Sequence, residues 1–206
     1  MSRLIEVCCP SLPAVAKAVE AGADRIELCE QLETGGVTPS LSLISDALKA
    51  AGRIPVNVLI RPREGDFVYS PAEVALMAAS IRECKNMGVN GVVTGALKSD
   101  RSVDAETMRI LLAEARPLAV TFHRAFDECD DIRECLEAII GLGIERLLTS
   151  GHCSNAYEGR FVLRELIGQA AGRIVIMPGC GITQANLDEI AGITGAREFH
   201  GSRILG

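Results

Sequence analysis

Ile5-Glu6-Val7-Cys8 and, twenty-one residues later, Ile26-Glu27-Leu28-Cys29 repeat one short phrase, an acid and a thiol two places apart inside an apolar run. Side chains alternate along a strand, so Glu6 and Cys8 face one way, as do Glu27 and Cys29. If that way is inward in a sheet, two carboxylates and two thiols from neighbouring strands converge. The interval between the two phrases leaves room for one helix, and the rest of the chain keeps that beat.

Eight apolar runs recur at intervals of about twenty to thirty residues, as a repeated strand-plus-helix unit requires. They are Leu4–Cys9, Arg25–Glu30, Pro55–Pro62, Gly91–Leu97, Leu118–Asp127, Arg146–Gly151, Ile174–Ile182 and Glu198–Ile204. Their Val, Ile and Leu content suits parallel strands covered on both faces. Between them lie helical patterns. Ser70-Pro71-Ala72-Glu73 has the spacing of a capping box with proline at the first helical position, and Gly88 stands where a left-handed residue stops a helix, which predicts a helix over 71–87. Leu41, Ile44 and Leu48 give one apolar face before Gly52, and similar patterns run over 12–21, 103–115, 131–141, 159–171 and 184–191.

Strict alternation over eight rounds predicts a single α/β domain over residues 1–206, a parallel (β/α)8 barrel of the TIM type. An open dinucleotide-binding sheet is disfavoured, because no G-x-G-x-x-G follows the first strand. The chain ends at Gly206, directly after the eighth run. The last helix is therefore expected to be missing: either the sequence is a trimmed form, or a neighbour covers the face it would occupy, as in a homo-oligomer such as a dimer or tetramer.

A net charge of -6 and a pI near 5.2 give no electrostatic footprint for nucleic acid or an anionic membrane surface. Arg3, Glu6 and Lys17 interrupt the first twenty residues, and no apolar run suits a signal peptide or a spanning helix, so the expected location is cytoplasmic. In a reducing compartment no disulfide framework is expected, and the eight cysteines read as free buried thiols, metal ligands or reactive thiols, most of them small core residues.

Barrel chemistry gathers at the carboxyl ends of the strands. There the chain offers Glu6 and Cys8, Glu27 and Cys29, Arg61, His123 and Arg124, and finally His200 to Ser202. Glu6, Glu27, His123 and Arg124 are candidate catalytic groups, with His123 suited to acid–base work near neutral pH. Arg61 can clamp a carboxylate or phosphate, whereas Arg63 reads as a surface residue. The turn Gly179-Cys180-Gly181, leading to a helix N-terminus at Thr183, has the place and composition of a barrel phosphate site. Arg61, Gly179, Gly181 and Ser202 are the candidate ligand-binding residues.

Each of these has a plainer reading. Glu6 and Glu27 can be ion-paired to Arg61 or Arg124, Cys8 and Cys29 can be barrel filling, and Asp127 can cap the next helix or orient a neighbour. His152, Cys153, Cys180 and His200, from three successive strand ends, are a further candidate metal cluster, though their spacing matches no compact ligand motif.

The series I-E-V-C, D-R-I-E-L-C, G-G-V-T-P-S, I-R-P-R-E-G-D-F-V-Y-S, F-H-R-A-F-D, L-L-T-S-G and E-F-H-G-S-R closely resembles the CutC family, over nearly the whole chain and in the family's order. The resemblance implies a TIM-type barrel, cytoplasmic and often oligomeric, with a copper(I) role and Cys8 and Cys29 at the family's cysteine positions as metal ligands. No organic cofactor is expected. The chain departs from the family pattern at Cys180, in a turn that is usually all glycine, at Gly151-His152-Cys153, and at Gly201 where serine is common. Residue chemistry alone offers a second function, an enzyme acting on a small anionic or phosphorylated metabolite, and a third, a scaffold with an idle barrel mouth.

Overall fold

Every one of the eight apolar runs contains a strand. In the computed structural model, which describes residues 3–206, these are β1 Leu4–Cys9, β2 Arg25–Leu28, β3 Val56–Leu59, β4 Gly91–Thr94, β5 Ala119–Phe122, β6 Arg146–Thr149, β7 Val175–Pro178 and β8 Glu198–Gly201. The ladders are parallel and run in the order β7-β6-β5-β4-β3-β2-β1-β8. The sheet thus curls almost into a closed barrel. Among the described residues β7 and β8 share no ladder, and a single parallel bridge, Thr183 to Arg203, joins the segments beyond their ends.

Most strands are shorter than the runs that announced them, because the chain turns as soon as it leaves the barrel wall. After β5, for example, Arg124–Glu128 winds into a 3₁₀ turn. The seven α-helices are α1 Leu12–Glu20, α2 Leu41–Ala51, α3 Pro71–Met87, α4 Ala105–Ala115, α5 Ile132–Gly141, α6 Arg160–Ala170 and α7 Leu187–Thr194. The α3 termini are those the sequence specifies: Ser70 and Glu73 form the reciprocal capping box, and Gly88 closes the helix at φ 83°. By contrast α7 begins three residues later than its apolar pattern. Asn186 accepts from the Thr183 N–H and donates to the Gly181 carbonyl, and this holds residues 183–186 as a turn. No helix follows β8 among the described residues. No helix among them is long and apolar enough to cross a membrane.

Alternation along the strands sorts the core into two regions. Ile5, Val7 and Cys9 of β1, with Ile26 and Leu28 of β2, face outward into the layer between sheet and helices, where they meet Val15, Ile44 and their like. Cys8, Cys29, Leu59 and Val93 form a separate apolar cluster inside the barrel. Beside it the interior is charged: Glu6, Arg25, Glu27 and Asn57 are all buried. Buried charge of this kind needs partners, and supplying them is the organising problem of the site.

Candidate functional site

The register of β1 and β2 places Glu6 opposite Arg25 and Cys8 opposite Glu27. The two acid–thiol phrases are therefore offset by one inward-facing position, and the acids do not lie side by side. Glu6, fully buried, is the centre of a network. Arg25 donates through Nε to Glu6 Oε2 at 2.5 Å, Asn57 donates to the same oxygen at 3.3 Å, and His200 Nδ1 lies 2.8 Å from Glu6 Oε1. Arg25 also donates to Glu198 Oε2 at 2.7 Å, and Arg146 donates to that oxygen at 2.8 Å.

One layer higher, the other side of the His200 ring approaches Glu27, with Nε2 3.9 Å from Oε1. The Cys8 thiol donates to Glu27 Oε1 at 3.6 Å and lies 3.7 Å from Cys29 Sγ. The remaining oxygen, Glu27 Oε2, is buried with no partner among the described residues. Cys8, Glu27 and His200 bring ligand atoms within 4.8 Å of one another and form the one three-residue group among the described residues able to hold a metal ion.

Electrostatics separate the two acids. Burial alone raises the Glu6 pKa, but the hydrogen bond and charge of His200, with Arg25, outweigh it and hold the carboxyl down at about 2. Burial raises Glu27, which the His200 charge offsets only in part. The Cys8 thiol is pushed up by its hydrogen bond to Cys29, by burial and by the Glu27 charge. For His200, burial favours the neutral ring, yet Glu27 and the Glu6 hydrogen bond prevail and raise its pKa.

Because the Glu6 pKa in the fold, about 2, lies below its ordinary 4.5, its stabilisation is complete above the ordinary value. It is lost as pH falls from there toward 2, an effect of about 3 kcal/mol. Carboxyl-carbon NMR on selectively labelled protein should show the Glu6 resonance titrating near the lower value. A midpoint above 4 would remove Glu6 as the ionised centre of the network.

A cavity of about 750 Å³ opens at the carboxyl ends of the strands. Cys8, Glu27 and His200 line it, as do Arg61, His123 and Arg124. Glu6 and Cys29 lie behind the wall. Neither Arg61 nor Arg124 pairs with the two acids. Arg61 instead donates to the carbonyls of Thr34, Gly36 and Gly65, which pins the loops after β2 and β3. Arg124 pairs with Asp127 at 2.8 Å.

Asp127 is not a helix cap. Asp131 caps α5 through the Arg133 and Glu134 amides, and this leaves Asp127 to receive the Thr149 and Ser150 hydroxyls and the Ser150 and His152 amides. It thereby fixes the loop after β6. Gly181 and Ser202 reach the cavity wall, whereas Gly179 lies behind it, its N–H bonded to Thr149 O and its Cα so close to Leu148 that a Cβ would come within 2.4 Å. In the second metal cluster suggested by the sequence, His200 belongs instead with Cys8 and Glu27, and His152 is turned to the Cys129 carbonyl at 2.8 Å.

Sequence reasoning missed Arg25, Asn57 and Glu198. A signal for Arg25 was present: it stands two residues before Glu27 and so shares its face.

Fold and site together define a parallel β/α barrel whose mouth carries a buried thiol–carboxylate–imidazole group in a cavity that Arg61 and Arg124 also line. The CutC family model matches residues 3–205, and the chain belongs to that family. It is 50% identical over 197 residues to the human copper homeostasis protein cutC homolog, covering 96% of this chain and 72% of that one. It is 47% identical over 202 residues to a family protein CutC of Parabacteroides distasonis, covering 98% and 83%. The crystal structure of CutC from Streptococcus agalactiae superposes with a TM-score of 0.93 at 33% identity, covering 98% of this chain and 99% of that one. An aldolase, QR15, shares the fold alone, with a TM-score of 0.72 at 16% identity over 98% of this chain and 91% of that one.

Proposed function

We propose that the chain is a cytoplasmic copper homeostasis protein that holds copper(I) as cargo through Cys8 and His200, with Glu27 and Cys29 beside them. The observation that carries this reading is the convergence of Cys8, Glu27 and His200 within 4.8 Å. A ligating imidazole characteristically has its other ring nitrogen bonded to a carboxylate, and Glu6 occupies that place at His200 Nδ1, so Nε2 faces the thiol and Glu27. Thiolates select a soft ion such as copper(I). The human relative's name, a copper homeostasis protein, points the same way.

The two thiols fit a bent site better than the near-linear one their pairing first suggests. With a metal–sulfur bond of about 2.3 Å, sulfurs 3.7 Å apart subtend about 107° at an ion; a linear pair would need about 4.6 Å. A bent site takes a further ligand, and Cys8 brings Glu27 and His200 within reach, whereas Cys29 stands outside that group. Binding must displace the proton that Cys8 holds firmly, so affinity should rise with pH.

Copper(I) competition titration against a strong chelator should show Cys8→Ser weakened by about 100-fold or more, and Cys8→Ser/Cys29→Ser further still. Unchanged affinity in the double variant would eliminate the site.

A second reading, an enzyme acting on a small anionic metabolite through Glu27, His123 and Arg124, is favoured by one specific observation. Arg61 is 6% exposed and lines the cavity, yet among the described residues no carboxylate lies within salt-bridge distance of it. A buried cation needs a counter-charge.

A further inference from the structure

Two polar atoms of the cavity-lining residues Arg61 and His123 find no hydrogen-bond partner among the described residues. Arg61 spends both terminal nitrogens on loop carbonyls, and its Nε is buried without a partner. His123 is 5% exposed, and its Nε2 is likewise buried and unpartnered. Buried polar groups in native proteins are nearly always satisfied, so two in the lining of one cavity call for a ligand.

The chemistry of His123 is fixed by its neighbours. The Ala125 backbone N–H donates to His123 Nδ1 at 3.2 Å, so Nδ1 is the acceptor and the ring proton resides on Nε2. Burial and the Arg61 charge lower the pKa to about 3, which keeps the ring neutral across the physiological range. Position is fixed as well. Gly95 lies so close that a Cβ there would come 2.8 Å from Nδ1, and the Phe67 ring lies 4.9 Å away, centroid to centroid. The Arg61 guanidinium is also 4.9 Å from the Phe67 centroid. His123 is thus a fixed neutral donor, unlike the titrating acid or base its sequence position suggests, and it shares Phe67 with an uncompensated cation.

We infer that this pair is a binding subsite for a small carboxylate bearing a second acceptor oxygen, of the 2-oxo or 2-hydroxy acid class, with the carboxylate at Arg61 and the second oxygen at His123 Nε2–H. The inference rests on the small-anion reading above and specifies its substrate class. The scarcity of free donors at Arg61 favours a singly charged carboxylate over a phosphate, which would call for several. His123 is then a specificity determinant, since a donor left unpaired by a ligand lacking the oxygen discriminates against it.

The test is calorimetric titration of the full chain with pyruvate, propionate and inorganic phosphate, with imidazole-nitrogen NMR on labelled histidine. Pyruvate should bind saturably and move the His123 Nε2 resonance, and propionate, which lacks the second oxygen, should bind about tenfold more weakly. His123→Phe should lose that tenfold preference, whereas His123→Gln, which keeps an N–H donor, should retain most of it; circular dichroism verifies the fold of each. Equal binding of pyruvate and propionate, or an unaltered preference in a folded His123→Phe, overturns the inference. Phosphate binding without pyruvate binding overturns it while leaving the broader small-anion reading intact, and no binding of any probe removes both.

Discussion

Arg25→Met is expected to destabilise the fold by about 3–5 kcal/mol, because it leaves a buried charge without its partner. Arg25 is 5% exposed and is the one guanidinium bonded to Glu6. Methionine keeps most of the volume, so the loss isolates the charge. Glu6 would retain only His200 and Asn57, whereas Glu198 would keep Arg146. Urea denaturation should show the full loss in the single variant. In Arg25→Met/Glu6→Gln roughly half should return, since the unpaired carboxylate is gone. A single variant within 1 kcal/mol of wild type would show that the Glu6–Arg25 pair does not hold the barrel interior together.

Gly159→Ala is expected to cost about 3 kcal/mol or more, for a reason unrelated to backbone torsion. Gly159 precedes α6 at an ordinary φ of -80°. A Cβ there would sit 1.9 Å from the Ser150 carbonyl oxygen and 3.1 Å from Gly151 Cα, both of them backbone atoms that cannot rotate away. The loop after β6 would have to move, and with it the Asp127 contacts to Ser150 and His152. Gly168, inside α6 with nothing within 4 Å of its virtual Cβ, is the control, and Gly168→Ala should stabilise by about 1 kcal/mol. Thermal denaturation of the two variants should move in opposite directions. Two shifts of the same sign would show that the Gly159 contact does not govern this loop.

Much of the barrel was legible because its determinants are local. Alternation and spacing located all eight strands, and the Ser70–Glu73 box with Gly88 located both ends of α3. What local pattern cannot carry is register. The two acid–thiol phrases look equivalent, but the one-position offset sends Glu6 to Arg25 and leaves Glu27 opposite Cys8. That single offset makes one acid a structural anion and the other a group with a free oxygen. Similarly, Asp127 reads as a cap in sequence, but Asp131 serves, because a 3₁₀ turn after β5 that no periodicity announces takes up Arg124–Glu128. His200 was visible as a strand-end histidine, but its company was not, since Cys8 and Glu27 reach it only when β8 lies against β1.

Among the described residues no ladder joins β7 to β8, so the cylinder is closed there by other means. Across that gap the main chain contributes little, and side chains take over: Glu198 of β8 is gripped by Arg146 from β6 and Arg25 from β2, and Arg25 reaches Met177 of β7 as well. Seven seams are sewn with amide hydrogen bonds and the eighth is buttoned with charge. Arg25, Arg146 and Glu198 each open their strands, so this closure sits at the amino end of the barrel, at the far end from the cavity.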